Sequence, residues 1–228
     1  MKVMALGAGG EMGETAARVL AADDAVTEIV IADRDIRSAE AVAVNTVGPF
    51  FRFGVPILKA AIEAQCKYVD ICDDPEPTLE MLKLNEQAKA AGVTALIGTG
   101  ASPGIANMLA LRAAKELDTV DTIITGWNID ASHPQERHGT GVSAAVVHMM
   151  QQISGVIPVT RGGKLEYRQA LEKIEIDYPG LHKFSSNSIG HPEAVTLHHA
   201  FPNLRDNTNV CVCDRFTTGL LNMVRRLL

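Results

Sequence analysis

The chain has 228 residues, 46% of them hydrophobic, with 21 Lys and Arg against 27 Asp and Glu and a net charge of −6. That length allows one large or two ordinary domains with a sizeable core, and the acidic balance without any basic run argues against a nucleic-acid or anionic membrane surface. No apolar run approaches the ~18 residues of a membrane helix, and the first apolar run meets glycines too early for a secretory signal, so a cytoplasmic protein is expected. Its cysteines, Cys66, Cys72, Cys211 and Cys213, are too sparse for a disulfide framework. Cys211-x-Cys213 is closer than the usual zinc spacing, His133 and His138 lack a third ligand, and no metal site is expected.

The first stretch, Lys2 to Asp35, combines an apolar run, a glycine-dense turn, an apolar-spaced helix, a second apolar run and an acid. Where a buried strand (Val3 to Leu6) turns straight into a helix, side chains obstruct the turn and a phosphate must reach the peptide N–H groups, so glycine suits both needs. The run Gly7-Ala8-Gly9-Gly10-Glu11-Met12-Gly13 reads either as GxGxxxG or as GxxGxxG. Met12, Ala16, Val19 and Leu20 are spaced to pack one helix face on a sheet. Asp33 ends the run Ile29 to Ala32, 20 residues after Gly13, where a carboxylate accepts hydrogen bonds from an adenosine ribose and repels a 2′-phosphate. Arg34 and Arg37 pull the other way. The expected cofactor is therefore NAD or NADP, with a small preference for NAD.

Only Arg34 to Glu40 separate Asp33 from the next apolar run, Ala41 to Val47, whereas a parallel crossover takes about a dozen residues or more. Either the two runs are not parallel neighbours, or residues are absent near 38–42; the second is the preferred expectation. Gly48 and Pro49 stop the strand, and Pro56 is placed early in a helix whose Leu58, Ala61, Ile62 and Gln65 share a face. Lys67 to Cys72 reads as a strand ending in Asp73-Asp74-Pro75. A helix from about Thr78 to Ala91 follows, stopped by Gly92. Val93 to Ile97 is the next strand, and Ser102 and Pro103 are placed as N-cap and first residue of a helix bearing Ile105, Met108, Leu109 and Ala113. Strands alternating with helices imply a mainly parallel sheet covered on both faces.

Beyond Asp118 the pattern changes. Val120 to Trp127 is strand-like, Asn128 to Gly141 polar, Val142 to Ile153 helical, and Val156 to Tyr167 forms two strands around the turn signal Gly162-Gly163. The expected fold is α/β, a Rossmann-type mainly parallel sheet over residues 1–117 and an α+β substrate and dimerisation domain over 118–228. The apolar end, Leu220 to Leu228, suits burial.

GAGGEMG at Gly7, IADRD at Ile31, NTVGPFFRFGVPILKAAIEAQCKYVDICDD at Asn45, TGASPGIANMLA at Thr99 and IGHPEAVTLHHAFP at Ile189 together resemble the saccharopine dehydrogenase-like oxidoreductases. The resemblance implies NAD(P)-dependent chemistry at a C–N bond of an amino-acid-derived substrate, and commonly a homodimer. By that likeness Gly7, Gly10 and Gly13, with Gly9, Glu11 and Met12 between them, form the phosphate turn and Asp33, beside Arg34, holds the ribose. Asn45, Thr46, Val47, Gly48 and Pro49 then lie by the nicotinamide ribose, and Pro103, Gly104 and Asn107 face the substrate. Relatives usually carry around thirty more residues between the second-strand acid and the NTVGPF-like run, and usually continue further.

Asp73 and Asp74, past a strand's carboxyl end, are the candidate proton-handling acids. His133, His138, His148, His191, His198 and His199 are further candidates, and Arg161, Arg168 and Arg205 suit a substrate carboxylate. A non-catalytic NAD(P)-binding redox sensor is the rival reading. A Tyr-x-x-x-Lys reductase is disfavoured, because Tyr68, Tyr167 and Tyr178 are followed at that spacing by Cys72, Leu171 and His182.

Overall fold

A computed structural model describes residues 1–6, 11–32, 42–128, 144–178, 180, 183–212, 219 and 223. The chain divides into two units, Met1–Gly104 and Ile105–Leu228. Helix Ala106–Ala114 thus falls in the second unit, where the sequence reading places it in the first.

The first unit is built on strand β1 (Lys2–Leu6), whose residues are buried from Val3 onward. Helix α1 (Glu11–Ala21) follows, then β2 (Glu28–Ala32), β3 (Val42–Asn45), helix α2 (Phe50–Glu63) and β4 (Lys67–Asp70). Helices α3 (Pro75–Leu82) and α4 (Asn85–Ala90) and strand β5 (Ala95–Leu96) complete it. The five strands lie in the order β2-β1-β3-β4-β5, and every pair is parallel. The runs at β2 and β3 are accordingly not neighbours: each pairs with one edge of β1. Residues 33–41, which join them, lie outside the described residues, and so does the expectation that chain is absent near 38–42.

Several boundaries depart from the sequence reading. α2 starts at Phe50, so Pro56 lies inside it; the extended Pro49 carries a carbonyl that accepts the Arg52 and Phe53 N–H groups at 3.1 Å each and so opens the helix early. Leu58, Ala61 and Ile62 share the buried face as expected, while Gln65 lies beyond the helix with φ 54°. The single helix expected up to Ala91 is two, because the buried Leu84 is turned into the core between them. Gly92, at φ +68°, takes the left-handed turn after α4. On α1, Val19 is 67% exposed and takes no part in the packed face.

In the second unit, helix α5 (Ala106–Ala114) precedes β6 (Thr122–Asn128), α6 (Ala144–Gln152) and the hairpin β7 (Val156–Arg161) and β8 (Lys164–Gln169). Gly162 and Gly163 turn that hairpin at φ 53° and 77°, as their sequence signals. Strands β9 (Lys173–Asp177) and β10 (Lys183–Ile189), the short helix α7 (Glu193–Thr196) and β11 (Asp206–Val212) follow. β11 is the central strand, parallel to β6 and antiparallel to β10 and β7. Cys211 is buried in β11; Cys213 lies outside the described residues, as does nearly all of Leu220 to Leu228.

The expected packed face of α5 is not buried. Ser102 is extended (φ −129°, ψ 125°) inside a short π-helical turn at Ala101–Ile105, no side-chain cap forms, and α5 itself has no buried residue. Met108 and Leu109 are 67% and 65% exposed. Leu109 and Ala113 instead wall a groove of about 510 Å³ against Ile124, Val210 and Phe184 of the sheet.

The first unit's core joins Met4, Leu6, Ala43, Leu58, Tyr68 and Met81. Leu58→Ala removes a fully buried side chain from it and is expected to cost about 2–5 kcal/mol, read as a lowered midpoint in denaturant unfolding.

Candidate functional site

In an open parallel sheet, ligands bind beyond the carboxyl ends of the strands, where successive connections leave in opposite directions. Here that point lies between β1 and β3, since β2 flanks β1 on its other edge. β1 ends at Leu6 and α1 begins at Glu11, so a helix N-terminus follows directly on a central strand, the arrangement that favours a phosphate. The described geometry fits a dinucleotide in this respect. Gly13 is buried in the first turn of α1, which also carries Glu11 and Met12; Gly7, Gly9, Gly10, Asp33 and Arg34 lie outside the described residues.

The loop after β3 is tied down on both sides. Thr46 donates its N–H and its Oγ1 hydroxyl to the Leu6 carbonyl, at 3.3 and 2.9 Å, closing β3 onto β1. The Val47 N–H donates to Asn45 Oδ1 at 3.0 Å. Asn45, itself fully buried, donates through Nδ2 to the Tyr68 hydroxyl at 2.8 Å, and Tyr68 donates to Asp70 Oδ2 at 2.8 Å. Asp70 Oδ1 accepts the Gly98 N–H at 2.7 Å and the Cys72 N–H at 3.0 Å. The Asp70 carbonyl accepts both the N–H and the hydroxyl of Thr99, at 2.8 and 2.7 Å. One side chain, 1% exposed, thereby gathers the carboxyl ends of β3, β4 and β5.

Burial raises the Asp70 pKa, and the two backbone N–H groups and the phenol oppose that rise. Burial, then the neighbouring Asp70 charge, pushes the Tyr68 phenol up, so it remains a protonated donor. The same two causes push the Cys72 thiol up, which makes it an unreactive packing group. Sequence reasoning missed Tyr68 and Asp70 by reading them only as part of a strand. Their signal was there: a strand inside a parallel sheet is covered on both faces, so a Tyr and an Asp two apart need polar partners.

Asp73 is half-buried, and Asp74 is buried at the N-cap of α3, its carbonyl accepting the Thr78 hydroxyl at 2.8 Å. Pro103 is buried, and a Cβ on Gly104 would stand 2.5 Å from the Thr99 carbonyl carbon, so glycine is required there. Asn107 belongs to the second unit, and its buried Oδ1 has no hydrogen-bond partner.

Of the remaining candidates, His148 is buried in the second unit. His133 and His138 lie outside the described residues. His191 is buried with Nδ1 2.6 Å from Glu193 Oε2, and His198 stacks on His199 with partial burial and that neighbour lowering its pKa. Arg168 pairs with Glu172 at 3.3 Å, Arg161 Nη1 donates to the Thr160 carbonyl, and Arg205 is exposed. No helix among the described residues is long and apolar enough to cross a membrane.

Gly98, at φ +68°, would carry a Cβ 2.7 Å from Pro103 Cγ and 3.2 Å from the Cys72 carbonyl; Gly92 has the same φ with nothing within 4 Å. Both Gly→Ala variants meet the left-handed penalty of roughly 1–2 kcal/mol. Gly98→Ala is expected to lose clearly more than Gly92→Ala in thermal unfolding, and equal losses would contradict the close packing at this loop.

No protein-family profile matches the chain. It is 26% identical over 188 residues to a carboxynorspermidine synthase of Vibrio cholerae serotype O1, covering 75% of this chain and 43% of that protein. It superposes on the apo saccharopine dehydrogenase (L-Glu forming) of Saccharomyces cerevisiae with a TM-score of 0.62 at 14% identity, covering 96% of this chain and 56% of that one. The chain thus spans about half the length of the proteins it is similar to. Fold and sequence likeness together support the resemblance, carried above by motifs from Gly7 to Pro202, to the saccharopine dehydrogenase-like oxidoreductase family.

Proposed function

We propose that the protein is an NAD(P)-dependent oxidoreductase acting on the C–N bond of an amino-acid-derived substrate. The observation that carries this reading is the switch point between β1 and β3, with a helix N-terminus following β1 and a pinned loop, Asn45 to Pro49, at the end of β3. The likeness to a carboxynorspermidine synthase supports NAD(P)-dependent oxidoreduction in general.

In this reading the Gly7 to Gly13 turn and the start of α1 bind the diphosphate, and Asp33 accepts hydrogen bonds from the adenosine ribose, favouring NAD by a small margin over NADP. Asn45 to Pro49 hold the nicotinamide ribose. The bound nicotinamide supplies or accepts a hydride at the substrate carbon. Pro103, Gly104 and Asn107 orient the substrate, the orphan Oδ1 of Asn107 being an acceptor for its amine. Asp73 and Asp74 handle the amine proton; Asp73, the more accessible of the two, exchanges it with solvent. The reading extends to a cytoplasmic homodimer, with residues 1–117 binding the cofactor and 118–228 shaping substrate and dimer contacts.

Titration of the 228-residue chain with NADH and NADPH, followed by assays of cofactor oxidation with paired amines and 2-oxo acids, tests the reading. Binding and turnover with at least one pair are expected; tight binding without turnover across the panel favours the redox sensor. Asp33→Ser is expected to weaken NADH binding about tenfold and to narrow the difference from NADPH, because a charge-assisted ribose contact is lost.

A further inference from the structure

The chain of hydrogen bonds from Asp70 to Val47 has a direction, and the direction is set at one end. Each partner of the Asp70 carboxylate offers a proton: the Gly98 and Cys72 N–H groups can only donate, and they occupy Oδ1. Oδ2 is left to Tyr68, whose single hydroxyl proton is then committed to Asp70. The phenol oxygen can now only accept, so Asn45 must present Nδ2 to it. An amide that presents Nδ2 on one side presents Oδ1 on the other, and that oxygen is what receives the Val47 N–H. Reversing the polarity at Asp70 turns the Asn45 amide over and sets an NH₂ group against the Val47 N–H, two donors face to face. All three side chains are at most 2% exposed, so no water restores the lost partners.

We propose that Asp70 is a positioning residue: acting through Tyr68 and Asn45, its carboxylate fixes the conformation of the Asn45 to Pro49 loop at the end of β3. That this loop meets the nicotinamide ribose rests on the function proposed above. Asp70 need not touch the ligand. Its part is to hold the loop in one orientation before the ligand arrives, which lowers the ordering that binding requires.

Two variants interrupt the relay at different links. Asp70→Asn keeps an acceptor for the Gly98 and Cys72 N–H groups but puts an NH₂ group against the Tyr68 hydroxyl. Tyr68→Phe leaves Asp70 intact and removes the link. Leu58→Ala, which destabilises the same unit at a site outside the relay, is the control for a merely structural loss. Amide hydrogen exchange resolved by residue, in the absence of ligand, is expected to show the Val47 N–H exchanging about tenfold faster or more in Asp70→Asn and Tyr68→Phe, relative to the amides of α2, and unchanged on that scale in Leu58→Ala. NADH dissociation constants are expected to rise by about the same factor in the two relay variants only. Should Asp70→Asn fail to fold, Tyr68→Phe alone decides. Val47 exchange equal to wild type in the folded variants overturns the proposal. A wild-type chain that binds neither NADH nor NADPH, while Val47 responds as described, supports the relay and overturns the cofactor reading alone.

Discussion

The first unit depends on a carboxylate that water does not reach. A parallel sheet forces the connections at its carboxyl edge to run as separate loops, each ending a different strand, and nothing in the ladder itself holds those loops in register. Asp70 supplies that missing constraint by accepting two backbone N–H groups and a phenol on its side chain and a threonine on its carbonyl. The cost of burying the charge is visible in its raised pKa, and the donors that surround it are what make the burial tolerable.

The strand order gives this constraint its place. β1 receives β2 on one edge and β3 on the other, and Thr46 bonds twice to the last carbonyl of β1, so the carboxyl ends of β1 and β3 are held together. A helix N-terminus following a central strand is the arrangement that favours a phosphate, and a hydrogen-bonded polar loop ends the neighbouring strand. The second unit is organised differently, around β11, where buried asparagines cap the short helix α7: Asn209 accepts the Ala194 N–H and Asn207 donates to the Glu193 carbonyl. Polar side chains there serve the backbone and leave apolar contacts to small clusters.

Much of this was legible in the residues. The alternation of apolar runs and helices yields the parallel sheet, the glycine pair at 162 and 163 yields its hairpin, and Gly92 ends α4 by the backbone angle its position requires. What the residues concealed was long-range. Pro56 reads as an early helix residue because proline suits the first turn, yet Pro49 opens the helix a turn and a half before it through its carbonyl. Met108 and Leu109 read as core because apolar spacing cannot say whether a partner surface exists. Of the candidate site, the loop Asn45 to Pro49 was readable and its anchor was not, since the link from position 45 to position 70 exists only once β3 lies beside β4.

The pairing of Asn45 with Asp70 across adjacent strands, with Tyr68 between them, has an evolutionary corollary. None of the three can drift alone without stranding a buried donor or acceptor, so neutral change at these positions has to be concerted: an apolar trio or a re-plumbed polar one, but no half-way residue set. Lineages descending from this chain should therefore show positions 45, 68 and 70 covarying as a block, while the surface of α2 beside them diverges freely.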